Sequence, residues 1–473
     1  MSGNVMLPGN PRYQPKDLQT IFGYDYLVRA MVEVELAAID TLAEAGVVPE
    51  VDYALLTDAV RADLLRITTT EVDVMERSVT KHDIRALVRV MQERMPPPLR
   101  RWVHVPLTSY DVIDTARTLQ YMRAHEVVFQ KARTVVLGLL RHAREHADTV
   151  QIGRTHGQHA LPITVGFWFV SIAHRMYSSM TMMAYHSEEL CGKISGAVGV
   201  YNAQAGLKLT NYTDSFEQKV LERLGIKPAP ISTQILQPEP LAFYLHACLM
   251  LSSTLGQFGR DARHLMRSEI RELAEPFDSG QVGSSTMAHK RNPLNFENLE
   301  GMWLRTKNEY GKVLDSLISE HQRDLVGSSI ARDFPIILVN LAQQLDTLLR
   351  PGKDGRSFLE RISVDTEACR RNLEHEGDRI LAEPMYLALQ LHGYEGDAHE
   401  VVNHRAMPLV GSSCSSLFEA MEHVVRDDPQ LQAAWEAIPH DIIALLKEPA
   451  KYTGLAAERT FEMCHLLGIV LEK

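Results

Sequence analysis

Cysteine is scarce in this sequence, and no motif pairs the few cysteines that it has. The 473 residues include five of them, at Cys191, Cys248, Cys369, Cys414 and Cys464. They form no Cys-x-x-Cys pair and no other spacing typical of metal ligands, which indicates reduced thiols that are mostly buried. We therefore expect a cytoplasmic protein without a disulfide framework.

Long basic tracts and long uncharged apolar runs are also missing. The formal net charge is −11 and the lysines and arginines do not cluster, so a nucleic acid is a poor candidate partner. The apolar runs predict no membrane span, and the polar residues 1–19 predict neither a signal peptide nor an anchor. A small anionic substrate is still compatible with this composition, because local arginines can outweigh a distant acidic surface.

Strand patterns are rare, whereas the helical spacing of apolar residues continues over long stretches. These stretches predict long helices over residues 18–45, 111–149, 164–190, 240–274 and 294–325. A helix of about 35 residues is roughly 50 Å long, which is too long for burial within a small globule. The sequence therefore predicts an all-α fold, an extended bundle of long helices that other copies of the chain complete.

Two breaks divide the sequence. Short helical stretches end at the prolines 96–98, and a Gly-rich turn at 351–355 precedes the last part of the chain. Because 473 residues, 45% of them hydrophobic, exceed the usual size of one domain, we expect three domains, over residues 1–110, 111–364 and 365–473.

The segment 283–293, Gly-Ser-Ser-Thr-Met-Ala-His-Lys-Arg-Asn-Pro, concentrates hydroxyls, a cation and an amide. Gly280 and Gly283 allow the backbone to bend and to approach a ligand closely. Pro293 suits the first turn of a helix, so the segment predicts a mobile loop before a rigid rod. Such a loop suits removal of a proton next to a carboxylate, with Lys290 holding the developing negative charge.

Two further segments place polar groups between or before predicted helices. In residues 153–158, Gly-Arg-Thr-His-Gly-Gln, His156 can donate a proton to a departing nitrogen, because an unperturbed imidazole titrates near neutral pH. On its own, a histidine in a loop is more often a surface residue. Thr108 and Ser109 could cap the helix that follows them, and the free N–H groups of a helix start also bind carboxylates or phosphates.

These segments together resemble the conserved regions of the fumarase/aspartase superfamily. Residues 283–293 resemble its signature loop, Gly-Ser-Ser-x-Met-Pro-x-Lys-x-Asn-Pro, residues 153–158 its second region, and residues 108–115 its first. The superfamily releases fumarate, or a similar acid, from substituted succinates by β-elimination. Ala288 stands where the signature has proline; because proline restricts an open loop, we expect a looser loop here.

Further fragments narrow the resemblance to the adenylosuccinate lyase family. They are Arg12-Tyr13, Thr80-Lys81-His82-Asp83, Lys193 to Gly199, Ser232-Thr233-Gln234, and the set of Arg323, Ser328 and Arg332. Two arginines and a serine suit a phosphate monoester. Lys81 keeps the charge of the arginine usual in the family but lacks its guanidinium fork. Residues 236–240 depart from the family, because many relatives carry basic residues there.

The resemblance implies a three-domain fumarase/aspartase-like fold and a homotetramer with sites shared between subunits. It implies release of fumarate from adenylosuccinate, which gives AMP, and from the succinylated aminoimidazole-carboxamide ribotide, with no cofactor and no metal. The implied catalytic residues are the base Ser284, the acid His156, the cation Lys290, and Glu297, which pairs with the acid. The implied substrate-binding residues are Arg12, Tyr13, Lys81, His82, Asp83, His104, Thr108, Ser109, Thr155, Gln234, Ser285, Met287, Asn292, Arg323, Ser328 and Arg332.

Two alternative functions stay open at this point. A sister lyase or a carboxymuconate-type cycloisomerase would use the same carboxylate-binding core on a substrate without a nucleotide. The arginines and the serine that suit a phosphate argue against it. A non-catalytic structural protein recruited from this fold could lose His156 or Ser284 freely, and both are present.

Overall fold

The computed structural model describes residues 6–209, 213–278, 280, 286–323 and 326–472. The chain forms two compact units, each assembled from three separate segments. The first unit contains Met1–Arg133, Ser178–Gln257 and Asn298–Leu348, and the second contains Thr134–Tyr177, Phe258–Glu297 and Leu349–Lys473. The division into three domains that are continuous in sequence stays a prediction.

Helices dominate both units. The α-helices are α1 (Gln19–Phe22), α2 (Arg29–Glu44), α3 (Glu50–Tyr53), α4 (Asp58–Leu64), α5 (Thr69–Met75), α6 (Asp83–Arg94), α7 (Ser109–Glu145), α8 (Val165–Glu188), α9 (Asn202–Gly206), α10 (Thr213–Arg223), α11 (Glu239–Leu265), α12 (Leu294–Asp315), α13 (Val326–Ile330), α14 (Ile336–Leu349), α15 (Thr366–Glu374), α16 (Ala382–Leu391), α17 (Ala398–Glu400), α18 (Leu417–Val424), α19 (Pro429–Glu436), α20 (His440–Leu445) and α21 (Ala456–Glu472). Short 3₁₀ and π-helical turns connect several of them.

The strands are few and short, as the sequence predicts. In the described residues they are β1 (Val150–Thr155), β2 (Gln158–Thr164), β3 (Cys191–Gly192), β4 (Lys227–Pro228), β5 (Leu273–Ala274) and β6 (Ser363–Val364). β1 and β2 form an antiparallel hairpin, β3 pairs with β4 in parallel, and β5 pairs with β6 in antiparallel fashion. The hairpin is the largest of the three sheets and carries a candidate catalytic residue.

The long helices differ in their ends from the sequence prediction. α7, α8, α11 and α12 are present with 37, 24, 27 and 22 residues. α11 and α12 end earlier than predicted, at Leu265 and Asp315. The prediction of one helix over residues 18–45 is wrong. Gly23 has an extended backbone, with φ −62° and ψ 144°, which ends α1, and α2 begins only at Arg29.

The apolar faces of these helices form a separate core in each unit. In the first unit, one cluster packs residues of α2, α4, α5 and α6 together, and a second packs α2 and the start of α7 against α10. In the second unit, a cluster over residues 381–446 joins α16, α18 and α19. Apolar residues at helical spacing give each helix one face to bury, which is why the predicted periodicity and the observed burial agree.

α11 is the one described helix that is long and apolar enough to cross a membrane, judged by length and composition. Its 18-residue window has a mean hydropathy of 1.2, and 61% of that window is buried inside the fold. A core helix of a soluble protein shows the same properties, so a single helix of this kind is only weak evidence for a membrane span.

A buried histidine of the first unit makes the stability depend on pH. His125 on α7 is 8% exposed, contacts the rings of Phe129 and Tyr244, and lies 3.3 Å from Ser187 Oγ. Burial lowers the pKa of His125 to about 4, whereas an unfolded histidine titrates near 6.5. Between these pH values, the unfolded chain therefore binds more protons than the folded chain. The free energy of unfolding is thus unaffected by protonation of His125 above about pH 6.5, and it decreases as the pH falls from about 6.5 towards 4.

His125→Phe should therefore reduce the loss of stability on acidification. The difference in unfolding free energy between pH 7 and pH 4 should shrink by up to about 3 kcal/mol per chain. Urea unfolding of the wild type and the variant at both pH values measures this. His404→Gln is the control, because His404 is exposed in the folded chain. An unchanged pH dependence in His125→Phe would contradict the prediction.

Candidate active site

The start of α7 in the first unit is built around a buried carboxylate. Asp111 Oδ2 accepts the N–H of Thr108 at 2.8 Å, a contact typical of a capping box. Asp111 Oδ1 accepts the N–H groups of Ser195 and Gly196, both at 3.1 Å, and pairs with the ammonium of Lys193. Both side chains of this ion pair are fully buried. Asp111 is therefore an anchor between two loops, and sequence reasoning did not identify it as such.

The segment that carries Gln234 lies against the same loops. The hydroxyl oxygens of Ser232 and Ser195 are 2.7 Å apart. Gly199 has a φ of 79°, and a β-carbon there would lie 2.1 Å from the carbonyl oxygen of Ser232, so the close approach requires glycine. The structure thus brings three predicted substrate-binding residues, all half-buried, to neighbouring loops of the first unit: Thr108, Ser109 and Gln234.

A cavity of about 130 Å³ opens beside the start of α7. Its wall is mostly apolar and includes Leu236, Pro238 and Phe334. Asp114 also lines it; burial raises the pKa of this carboxyl group, whose Oδ2 accepts the N–H of Leu236 at 2.9 Å. The residues that depart from the family pattern, 236–240, thus contribute apolar surface to this cavity.

The polar end of the cavity holds a cation and two hydroxyls. The Tyr110 hydroxyl and Ser328 Oγ are 2.6 Å apart, and the guanidinium of Arg323 donates to both. The guanidinium carbon also lies 3.8 Å from the centre of the Tyr110 ring. This arrangement suits an anion, because the guanidinium of Arg323 and the hydroxyl groups of Tyr110 and Ser328 already lie at one point of the cavity wall. Sequence reasoning did not identify Tyr110 as a site residue, although it lies within residues 108–115, which resemble the first region of the superfamily.

The structure does not join the other predicted substrate-binding residues of the first unit to this cluster. In the described residues, no hydrogen bond or ion pair connects Arg12, Tyr13, Lys81, His82, Asp83, His104 or Arg332 with Arg323 or Ser328. The guanidinium of Arg305 lies 5.3 Å from the Tyr13 ring. His104 is held by the buried Glu35, which accepts its backbone N–H at 2.8 Å and contacts Nδ1 at 2.7 Å.

Several of these residues are open to solvent in the single chain. Arg12, Lys81, His82 and Arg332 are exposed. The Lys81 ammonium donates to the carbonyl of Arg77, and His82 Nδ1 lies 3.2 Å from Asp83 Oδ1. Despite these local contacts, the side chains of Lys81 and His82 remain accessible to solvent.

His156 lies at the tip of the β1–β2 hairpin in the second unit, a strand pair that sequence analysis did not predict. Thr155 pairs with Gln158, so His156 and Gly157 form the two-residue turn. Both have a positive φ, 56° and 78°, as tight hairpin turns require. Thr155 and His156 are exposed. The hairpin thus presents the candidate acid at a turn rather than in a loop between two helices.

The end of the signature loop is also exposed in the second unit. The N–H of Lys290 donates to the carbonyl of Met287 at 3.0 Å, which forms a turn, and both residues are exposed. Asn292 is half-buried and directly precedes Pro293 and α12. Ser284 and Ser285, the predicted base and its neighbour, lie outside the described residues.

Glu297 lies in the first turn of α12, because this helix begins at Leu294, as the sequence predicts. It is exposed, and in the described part of the chain it makes no hydrogen bond with His156. The pairing of this carboxylate with the candidate acid stays a prediction.

One group of possible metal ligands occurs among the described residues, at the end of α7: His142, Glu145 and His146. The His142 ring stacks on Phe169, and its Nε2 lies 2.7 Å from the carbonyl oxygen of Leu359. The imidazole planes of His142 and His146 are 9° from parallel. These contacts are those of packed core side chains, so the group is not interpreted as a metal centre.

Comparisons with known proteins agree with the geometry. The family model described as Lyase matches residues 19–306, more than half of the chain. An adenylosuccinate lyase of Archaeoglobus fulgidus is 31% identical over 473 residues, which cover 99% of this chain and 100% of that protein. Those of Bacillus subtilis and Pyrococcus horikoshii are 33% and 35% identical, and cover 84% and 85% of this chain and 88% and 86% of their own lengths.

Solved structures share the fold. A 3-carboxy-cis,cis-muconate lactonizing enzyme from Pseudomonas putida matches with a TM-score of 0.79 and 23% identity, over 96% of this chain and 98% of that one. A fumarate lyase from Mesorhizobium sp. BNC1 matches with a TM-score of 0.78 and 21% identity, over the same shares. These likenesses confirm the predicted all-α fumarase/aspartase-like fold, while the sequence relatives at 31–35% identity indicate the family. The chain is a lyase and belongs to the adenylosuccinate lyase family.

Proposed function

We propose that this protein releases fumarate from adenylosuccinate to give AMP, and from succinyl-aminoimidazole-carboxamide ribotide in the same way. The observation that carries the proposal is the cluster of Arg323, Ser328 and Tyr110 in a chain of this family. Both substrates carry a phosphate, and the cluster offers a cation and hydroxyls to one. A lyase for a substrate without a phosphate has no need of this cluster.

The phosphate is assigned to Arg323, Ser328 and Arg332. Arg323 and Ser328 are already hydrogen-bonded to each other, so little side-chain freedom is lost when an anion binds. Arg332 is exposed on the 3₁₀ turn Ala331–Asp333, directly after α13. A second cation at this position adds charge to the anion site.

The elimination is assigned to residues of the second unit. Ser284 removes the proton next to a carboxylate, and Lys290 and Asn292 hold the carbanion that forms. His156 protonates the departing nitrogen. A serine is a weak base at neutral pH, so closure of the signature loop has to activate it. No cofactor and no metal takes part in this scheme.

We assign the assembly to a homotetramer in which copies share each site. His156 and Lys290 are exposed in the single chain, whereas proton transfer and carbanion stabilisation gain from the exclusion of water. Other copies of the chain supply that cover, and combine the Thr155–His156 hairpin and the signature loop with the Thr108 and Gln234 loops of a neighbour. Three domains, 1–110, 111–364 and 365–473, and a cytoplasmic location belong to the same proposal.

A single assay tests the substrate. Purified protein is mixed with adenylosuccinate and, separately, with the succinylated ribotide, and ultraviolet absorbance follows the release of fumarate. Turnover of both is expected, and His156→Ala serves as the inactive control. Wild-type protein that is tetrameric by sedimentation but releases fumarate from neither compound would refute the proposed function.

A further inference from the structure

A carboxylate without a part in the proposed chemistry lies buried in the second unit. Glu272 follows α11 and precedes β5, and its side chain has no exposed surface. Its N–H donates to the carbonyl of Leu265 at 2.9 Å, and its own carbonyl accepts the N–H of Asp365 at 3.0 Å. Asn372 on α15 donates from Nδ2 to Glu272 Oε1 at 2.8 Å. The framework of the unit thus holds this carboxylate on one side.

The remaining donors to the carboxylate come from β1 of the hairpin. Arg154 donates from Nη2 to Oε1 at 2.7 Å and from Nη1 to Oε2 at 3.0 Å, and Gln151 donates from Nε2 to Oε2 at 2.7 Å. With the contact from Asn372, each oxygen of Glu272 accepts two N–H groups. A buried carboxylate is tolerated only when it is paired and hydrogen-bonded in this way. The hairpin is therefore fastened to the framework by a fully satisfied charge.

A β-bulge lies between the two hairpin donors. Gln151 and Arg154 are three residues apart and would point to opposite faces of a regular strand. Between them, β2 sets two residues, Ala160 and Leu161, opposite the single Gly153. A bulge increases the local twist and redirects side chains, so both donors reach the one carboxylate. A β-carbon on Gly153 would lie 2.7 Å from the Leu161 carbonyl oxygen, which explains glycine at this position.

We propose that Glu272 is a positioning residue for His156, and that it acts through Arg154 two residues away. This inference rests on the proposed function, in which His156 is the acid. In the described residues, the side chains of Thr155 and His156 make no hydrogen bond. The ion pair of Arg154 and Glu272 is therefore the side-chain contact closest in sequence that holds the hairpin turn in place. A displacement of an acid by 1 Å can cost about 100-fold in rate. The anchored hairpin prevents that displacement.

The first test is kinetic, with adenylosuccinate as substrate. Glu272→Gln keeps the shape of the side chain but removes its negative charge. Arg154→Lys keeps the positive charge but removes the planar guanidinium, which donates to both oxygens of Glu272. Each should lower kcat about 10–100-fold and leave KM within about threefold, because the proposed phosphate-binding cluster of Arg323 and Ser328 is untouched. The double variant should lose no more than the worse single variant, since both changes break one interaction.

The second test separates positioning from general damage. In a His156→Ala background, Glu272→Gln should cause no further loss of the residual kcat, because no acid is left to position. Asp378→Asn is the matched control: Asp378 is also a buried carboxylate of the second unit, accepting the N–H groups of Leu417 and Phe418 at 2.8 and 2.7 Å. It should leave kcat within about twofold. A further loss in the His156→Ala background, or an equal loss in Asp378→Asn, would overturn the inference.

A readout without activity separates this inference from the proposed function. Hydrogen–deuterium exchange of the tetramer should be at least tenfold faster in residues 150–164 of Glu272→Gln than in the wild type, and unchanged there in Asp378→Asn. Unchanged exchange in the hairpin of Glu272→Gln refutes the positioning role, whatever the substrate. If wild-type protein releases no fumarate while exchange responds as expected, the proposed substrate fails and the anchoring of the hairpin stands.

Discussion

Replacing His156 with alanine is expected to lower kcat for fumarate release by about 10²–10⁴-fold. The amino nitrogen is a poor leaving group unless it is protonated, and His156 is the group at the hairpin tip assigned to that step. The tetramer should persist, because His156 has no part in the described hydrophobic cores. Steady-state kinetics with adenylosuccinate and sedimentation of the same preparation test both statements.

Complementation extends this test to the assembly. Ser284→Ala is expected to be as inactive as His156→Ala, because it removes the base. If copies share each site, a mixture of the two inactive variants should regain some activity after subunit exchange, since some sites receive an intact Ser284 and an intact His156. His404→Ala, an exposed histidine elsewhere in the second unit, should keep full activity. A mixture that stays inactive after exchange is verified would contradict the shared site.

Arg332→Ala is expected to raise KM for adenylosuccinate about 10–150-fold, because a charge-assisted contact contributes roughly 1.5–3 kcal/mol. The dephosphorylated nucleoside analogue should be a poor substrate of the wild type. The substitution should harm it little, since no phosphate is left to contact. Initial rates over a concentration series of both compounds measure the two effects.

Lys290→Ala is the matched comparison for this test. Lys290 is assigned to the succinyl end, which both compounds share, so its loss should damage both to the same extent. Arg323→Lys adds a second check: it keeps a cation but loses the fork that reaches Ser328 and the Tyr110 hydroxyl. An equal loss on both compounds for Arg332→Ala would remove the phosphate assignment and favour a lyase for a substrate without a nucleotide.

The way in which the chain positions its candidate site could be predicted only in part. The signature loop, the Thr-Ser motif and the Arg-Thr-His segment are short, continuous strings, so their residue types are visible in the sequence. The local form around them was less predictable. His156 lies on a hairpin of strands with 6 and 7 residues, and burial does not alternate regularly along either strand, so the sequence shows no clear period-two pattern there. α12 ends at Asp315, and so Arg323 lies beyond the helix that was predicted to carry it.

The all-α character, the long helices α7, α8, α11 and α12, and the family could be predicted from the chain's residues alone, because helical periodicity and motif strings are local properties of the chain. Which buried charges hold the loops of the candidate site in place became visible only in the folded chain. Asp111 and Lys193 are 82 residues apart in sequence, and Arg154 and Glu272 are 118 apart. Nothing local marks such partners, because a carboxylate that anchors a loop has the same composition as one that faces water. The choice is made by burial, which requires each charge to find its counter-charge and donors.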